Sequence, residues 1–350
     1  MKLRPAKGLR PRVATFLVTY RCNCRCTMCI IPSIPCGREM TAGEIGRVFR
    51  KIGRLHALRI SGGEPFLRSD LADVINGIDH SSRPLMTVIS TNGLLSRRIA
   101  DTIGLLHHPR KVHFEISIDG VGDVHDEIRG RPGAFEAVKE TISLLNPLRR
   151  KYGFSLNASQ VIVDAGGFDQ YRLLRELLDP LGVDLFPVIA YEPVTALYSG
   201  KRMLSDPEAI LPYDEQFIRG LDKFLNDLLP HLPRRRWSVT LGKRYYLVGA
   251  RNRIVCGTRR PNPPCTALRR HIRINPDGGI PVCMHNSHTV GNLVESSFRE
   301  LWRGENAVKQ RQWVNRCRGC WAGCEIVPNA VYSGDIIRAA LPSFHRNANA

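Results

Sequence analysis

No cysteine falls between Cys36 and Cys256, although the 350-residue chain carries 11 of them. No run of about 18 apolar residues occurs, so no membrane-spanning helix is expected. Aromatic residues amount to 7% and are sparse among the basic runs, which gives little of the stacking platform that holds single-stranded nucleic acid. A nucleic-acid partner therefore rests on charge alone, without a motif. The N-terminal MKLRPAKGLRPRV is basic but has neither an apolar core nor a small-residue cleavage site. It does not read as a secretion signal, and a cytoplasmic protein is expected. Internal repeats and low-complexity tracts are also absent.

Acidic residues are scarce beside basic ones, 32 against 51, and the formal net charge is +19. Three explanations compete: a solubilising surface, an anionic substrate, and a docking face for an acidic redox protein. Basic runs at Arg234–Arg236, Arg259–Arg260 and Arg269–Arg270 place much of this charge in the C-terminal half. The cysteines form two groups, Cys22 to Cys36 and Cys256 to Cys324. Clustered thiols in a reducing compartment point to metal binding before disulfides, and two clusters point to two sites.

Apolar, β-rich runs at 13–19, 58–61, 86–90, 112–118, 154–163 and 183–191 alternate with helical patterns at 70–78, 96–106, 134–151 and 169–178. Another helix opens at Thr41, where T-A-G-E forms a capping box ahead of Ile45, Val48, Phe49 and Ile52. Six strands with five intervening helices predict a parallel α/β sheet with right-handed crossovers. That falls short of a closed TIM barrel, so a partial (β/α)6 TIM-like barrel is expected, with its chemistry at the carboxyl ends of the strands. Leu173, Leu174, Leu177 and Leu178 read as a core stripe. Residues 195–215 read as a connector and 213–229 as a helix. HIRINPDGGIPVC reads as a β-hairpin carrying Cys283. The expected domains are a core over 11–215 and a linker helix with a small Cys-rich domain over 216–350.

Directly after the first strand comes Cys22-N-C-R-Cys26-T-M-Cys29. Spacings of three and two residues let one loop wrap three thiolates around a cubane, leaving the fourth iron open. A purely electron-transferring site uses four cysteines instead. Gly62-Gly63-Glu64-Pro65 ends the second strand, S-T-N-G (Ser90 to Gly93) the third, and S-I-D-G (Ser117 to Gly120) the fourth; H-D-E-I-R-G (His125 to Gly130) precedes the next helix. A zinc knuckle completed by Cys24 or Cys36 is the competing reading of the cysteine loop.

Together these segments resemble the radical S-adenosylmethionine (SAM) superfamily. The resemblance implies a [4Fe–4S] cluster on Cys22, Cys26 and Cys29. It also implies a SAM pocket built from Gly62, Gly63, Glu64, Pro65, Ser90, Asn92, Ser117 and Arg129. Ser117 would lie near the ribose and Arg129 near the methionine carboxylate, with Asn157 a further candidate. The family usually has an aromatic residue before the third cysteine; here Met28 stands there, an apolar side chain able to cover a purine face. Reductive cleavage of SAM would give a 5′-deoxyadenosyl radical that abstracts hydrogen from a substrate, with a flavodoxin or ferredoxin as reductant.

The late cysteines resemble the SPASM/twitch extension of that family: Cys265, Gly278-x4-Cys283, Val290-Gly-Asn-Leu293, a Leu301-Trp302 helix, then C-x2-C-x3-C at Cys317, Cys320 and Cys324. Six thiols can fully ligate one cubane and not two, so one auxiliary cluster is expected. Cys265, Cys283, Cys317 and Cys320 fit the pattern, Cys324 can replace one of them, and Cys256 is the outlier. A zinc ribbon is the alternative, with His271, His285 and His288 as further donors or surface residues.

Three functions follow as expectations. The first is dehydrogenation, epimerisation or rearrangement of a small, anionic or sugar-like metabolite. The second is maturation of a ribosomally made peptide. The third is modification of a polyanion such as tRNA or a lipid head group. No catalytic acid or base stands out. Tyr191 and Glu192 face the expected mouth, and Asp335 sits in a Y-S-G-D turn. Asp119 and Asp123 are expected to bond loop backbone.

Overall fold

The computed structural model describes residues 10–29, 31–190, 213–232 and 237–340, with the side chains of 237–239 left aside. Tyr191 and Glu192, most of the connector and the Arg234–Arg236 run lie outside the described residues.

The core is a parallel sheet of β1 (Val13–Thr19), β2 (Ala57–Gly62), β3 (Met86–Thr91), β4 (Val112–Ser117), β5 (Ser155–Ile162) and β6 (Asp184–Ile189). Their connections carry α1 (Ala42–Ile52), α2 (Leu71–Ser82), α3 (Ser96–Gly104), α4 (Asp123–Arg129), α5 (Ala134–Tyr152) and α6 (Gly166–Leu178). In α1 the capping box is present in both directions, Glu44 N–H to Thr41 Oγ1 and Thr41 N–H to Glu44 Oε2. Ile45, Val48, Phe49 and Ile52 form its buried stripe. In α6 the leucine stripe is narrower than expected: Leu174 and Leu178 are buried, whereas Leu173 is 44% exposed.

The sheet order is β6-β5-β4-β3-β2-β1-β7, seven strands rather than six. The seventh, β7 (His271–Ile274), corrects the hairpin expectation. It pairs parallel with β1, Val13 opposite His271. The Pro-Asp-Gly-Gly turn then leads into β8 (Gly279–Cys283), which pairs antiparallel with β9 (Asn286–Asn292) in a separate sheet. β6 and β7 are not paired with each other, so the sheet stays open.

Three more helices follow β9: α9 (Phe298–Arg303), α10 (Glu305–Arg316) and α11 (Gly323–Ser333). Among the described residues two more lie between β6 and β7: α7 (Glu215–Leu228), the expected linker helix, and α8 (Trp237–Ile254), which was not expected. Within the latter, Tyr245 to Val248 are buried in succession, so no amphipathic stripe betrays it. It ties the late segment to the core: Ile189 N–H donates to Tyr246 Oη, and Trp321 Nε1–H donates to the Tyr246 carbonyl.

Burial alternates along β2, β3 and β4. Leu58, Ile60, Ile89, Phe114 and Ile116 are buried among the core residues. Arg59, Ser61, Ser90, Glu115 and Ser117 point to the other, half-open face. Parallel sheets usually bury both faces in apolar packing; here one is polar, and the site lies on it.

Candidate active site and iron–sulfur centres

The cysteine loop leaves β1 and is clamped by two other loops. Gly63 N–H donates to the Thr19 carbonyl and Glu64 N–H to that of Arg21, each at 2.8 Å. From the other side, Arg25 and Thr27 N–H donate to the Arg129 and Ile128 carbonyls at 3.0 and 2.9 Å. The contact demands glycine: a Cβ at Gly62, where φ is +134°, would lie 2.2 Å from the Thr19 oxygen. At Gly63 it would lie 2.0 Å from the Arg21 oxygen.

Within the loop, Cys22, Cys26 and Cys29 are half-buried, Cys24 is buried and Cys36 is exposed. A hydrogen bond with the Cys24 thiol, then Arg129, hold Cys22 down at about 6, against burial. The Cys24 thiol and Arg129 likewise hold Cys26 at about 7. Cys24 is pushed up by the same contacts, and burial pushes Cys29 to about 11. Asn92 Nδ2 reaches the loop, donating to Asn23 Oδ1 at 2.7 Å and to Cys24 Sγ at 3.3 Å.

Glu64 is buried and joins the β2 and β3 loops. It accepts from Phe66 N–H, Asn92 N–H and Thr91 Oγ1. Burial raises its carboxyl to about 7 in spite of these bonds. Pro65 opens the short turn that follows. Arg129 stands between Asp119, 2.7 Å away, and Cys26 Sγ at 3.6 Å. Asp119 accepts from Val161 N–H, a backbone group of β5 and not of a loop as expected. Ser117 and Met28 are half-exposed beside this loop set, and Asn157 sits on the same face of β5. Ser90 is drawn into a different contact: with Arg59 it surrounds Glu115 Oε2, at 3.2 and 2.8 Å. Burial raises the Glu115 carboxyl, but Arg59 and Lys243 overcome it and hold the group below its usual value.

The second cysteine group surrounds a small cavity lined by Cys265, Cys283, Cys317, Cys320, His285 and Glu325, with Trp313 and Val314 as apolar wall. These four cysteines share one local geometry. Each sulfur receives the N–H of the residue two positions on: Ala267, His285, Gly319 and Ala322. Burial pushes Cys265 to about 12 and Cys283 and Cys320 well above the thiol range, so thiolates form here only beside a cation. Cys324 does not line the cavity. Its sulfur lies 3.8 Å from Met284 Sδ and 3.6 Å from Arg273 Nη2. Cys256 does not line it either. Among the described residues, no three His, Cys, Asp or Glu side chains stand close enough to share a single metal ion.

His271 and His285 are both buried, not on the surface as expected, whereas His288 is half-exposed. His271 bridges Thr15 Oγ1 (2.9 Å) and Glu325 Oε2 (2.8 Å). Burial raises Glu325, but His271 and Arg273 outweigh it and hold the carboxylate at about 2. Asp335 is structural, accepting from Tyr245 Oη and pairing with Arg338.

Sequence comparison agrees with this geometry at both ends. Residues 16–156 match the family profile described as the Radical SAM superfamily, and 265–321 match the SPASM profile, an iron-sulfur cluster-binding domain. Pre-heme d1 synthase of Dinoroseobacter shibae is 30% identical over 348 residues, 91% of this chain and 81% of its own. The chain belongs to the radical SAM superfamily. The subtilosin biosynthesis protein AlbA of Bacillus subtilis is 26% identical over 89% of this radical SAM chain and 67% of its own. The solved structure of native anSMEcpe with bound AdoMet has the same fold, with a TM-score of 0.59, 14% identity, and 96% and 99% coverage.

This radical SAM enzyme thus uses a [4Fe–4S] cluster and SAM, with auxiliary iron–sulfur in its SPASM segment. The donor sets fit: a loop offering three half-buried thiols, and a cavity offering four thiols, each already receiving an N–H. Sequence reading missed Arg59, Glu115, Lys243, Glu325 and the burial of His285. Charged residues at alternate positions of β2 and β4 were the available signal for the first two.

Proposed function

We propose that this enzyme abstracts hydrogen from a small anionic molecule bound on the half-open face between the cysteine loop and the four-cysteine cavity. The observation that carries this reading is the polar network on that face. Arg59, Lys243 and Arg273 stand against Glu115 and Glu325, three cations to two carboxylates, where a parallel sheet would ordinarily be apolar. When bound, the cluster and SAM supply a 5′-deoxyadenosyl radical that takes the hydrogen atom. In this reading Cys22, Cys26 and Cys29 hold the cluster at three corners, and Asn92 and Arg129 orient the loop beneath it. Gly62, Gly63, Ser117 and Met28 receive SAM, and Glu64 fixes the loops that shape its pocket. Cys265, Cys283, Cys317 and Cys320 hold one auxiliary cluster, suited to accept an electron from a substrate radical. The likeness to pre-heme d1 synthase supports a small-molecule substrate.

A core over 11–215 and an auxiliary domain over 216–350, with β7 reaching back into the core sheet, belong to the same proposal. So does a flavodoxin or ferredoxin as reductant, docking on the basic surface of a cytoplasmic protein; among the described residues no helix is long and apolar enough to cross a membrane.

The likeness to AlbA, a bacteriocin biosynthesis protein, favours a second reading, peptide maturation. Anaerobic enzyme, SAM and reductant, supplied with host extract split by size, separate the two. Stimulated 5′-deoxyadenosine release by an acidic small-molecule fraction is the expected result. Stimulation by the macromolecular fraction alone contradicts it.

A further inference from the structure

His285 lies in the turn between β8 and β9, two residues beyond Cys283, and is 4% exposed. It lines the four-cysteine cavity, and among the described residues neither of its ring nitrogens has a hydrogen-bond partner. His271, as deeply buried, uses both of its nitrogens on Thr15 and Glu325. A neutral imidazole always carries one N–H, and leaving a buried donor unmet costs about 1–3 kcal/mol. The charged groups facing the ring are Glu325 and Arg273. Glu325 gives Oε2 to His271 and turns Oε1 to Arg273 at 3.6 Å; neither oxygen is hydrogen-bonded to His285, and a guanidinium only donates. The N–H is thus left for an acceptor in the cavity.

We infer that His285 donates an N–H···S hydrogen bond to a sulfur of the auxiliary iron–sulfur cluster and so raises that cluster's reduction potential. The inference rests on the four-cysteine reading above. Four thiolates complete a cubane, so the imidazole serves as a donor to sulfur and not as an iron ligand. Reduction makes the cluster more negative, and a hydrogen bond to its sulfur favours the more negative state. His285 is a positioning and tuning residue, not a catalytic one.

The test uses the full chain with Cys22, Cys26 and Cys29 replaced by Ala, so that only the auxiliary cluster is present, reconstituted anaerobically and titrated potentiometrically by EPR. In that background His285→Leu is expected to keep about four irons per chain. Its reduction equilibrium constant is expected to fall about tenfold, 59 mV for a one-electron couple. His285→Gln, which retains an N–H, is expected to recover most of that shift. Retained iron with an unmoved potential overturns the inference. A parent without iron overturns the four-cysteine reading beneath it, and iron content alone distinguishes the two failures. If the Leu variant loses its cluster, hyperfine spectroscopy of the unsubstituted protein labelled with ¹⁵N-histidine decides. A weak nitrogen coupling to the reduced auxiliary cluster is expected; no coupling, or the strong coupling of a coordinated nitrogen, overturns the inference.

Discussion

The two cysteine centres are built by opposite strategies. The early one is a single loop whose three thiols lie within eight residues of chain, Cys22 to Cys29, and whose shape is imposed by backbone bonds from the β2 loop and from the Arg129 segment. The late one gathers four thiols from three separate segments; the local N–H···S turn at each is shared with Cys22 and Cys29 of the early loop, so the segments and not the turns set the two apart. Three donors in a half-exposed loop leave a place for a ligand. Four donors in a buried cavity leave none. On the proposed reading, the first centre cleaves SAM and the second exchanges electrons.

The harshest way to break that comparison is to remove thiols one at a time. Ala in place of Cys22, Cys26 or Cys29 is expected to bring 5′-deoxyadenosine release to background in a chromatographic assay. Retained release in any one of the three refutes the three-donor loop. On the other side, Cys283→Ala is expected to remove about four irons per chain while sparing uncoupled SAM cleavage. Cys324→Ala is expected to leave the iron content unchanged, since its sulfur faces Met284 and Arg273 outside the cavity. Equal iron loss in both variants would erase the distinction between Cys324 and the four.

A gentler change probes the clamp. Gly63→Ala puts a methyl against the Arg21 carbonyl and forces the loop to shift. SAM cleavage is expected to fall on the order of 10²-fold with cluster iron retained, as for any displacement of about 1 Å at a reacting centre. Cleavage within twofold of the unsubstituted enzyme would show that the clamp is not required.

The smallest effect concerns pH. Burial, helped by Arg129, lowers His125 to about 3, and its Nδ1 accepts from Asp119 N–H. Below about pH 6.5 the unfolded chain binds a proton that the folded chain refuses, so stability from this group is complete above that pH and is lost as pH falls toward 3. Between pH 6.5 and 5 the loss is roughly 2 kcal/mol. Denaturant midpoints across that range should show a shallower slope for His125→Phe than for the unsubstituted protein. An identical slope would mean that His125 does not titrate in this way.

Much of the first centre was legible because its determinants are local. The spacing of Cys22, Cys26 and Cys29, the Gly62-Gly63-Glu64-Pro65 strand end and the Thr41 capping box each sit within one short segment. The same holds for six of the seven strands, whose β-rich runs each lie within one short segment. What could not be read depends on pairing at a distance. Alternation in His271–Ile274 marks a strand but does not say that its partner is β1. The Trp237–Ile254 helix is buried on consecutive residues and so lacks a periodic stripe. His285 looked like a loop histidine because the cavity it lines is shared with Cys265, Trp313 and Glu325, none of them near it in sequence.

The contrast between an open and a closed centre can be tested in one spectroscopic measurement: the EPR spectrum of the reduced cluster before and after adding SAM. It would be recorded in Cys283→Ala, which keeps only the loop cluster, and in the triple Cys22, Cys26, Cys29→Ala variant, which keeps only the auxiliary one. SAM should change the first spectrum and leave the second untouched. An unchanged first spectrum, or a second that responds to SAM, would contradict the assignment of the open site to the three-cysteine loop.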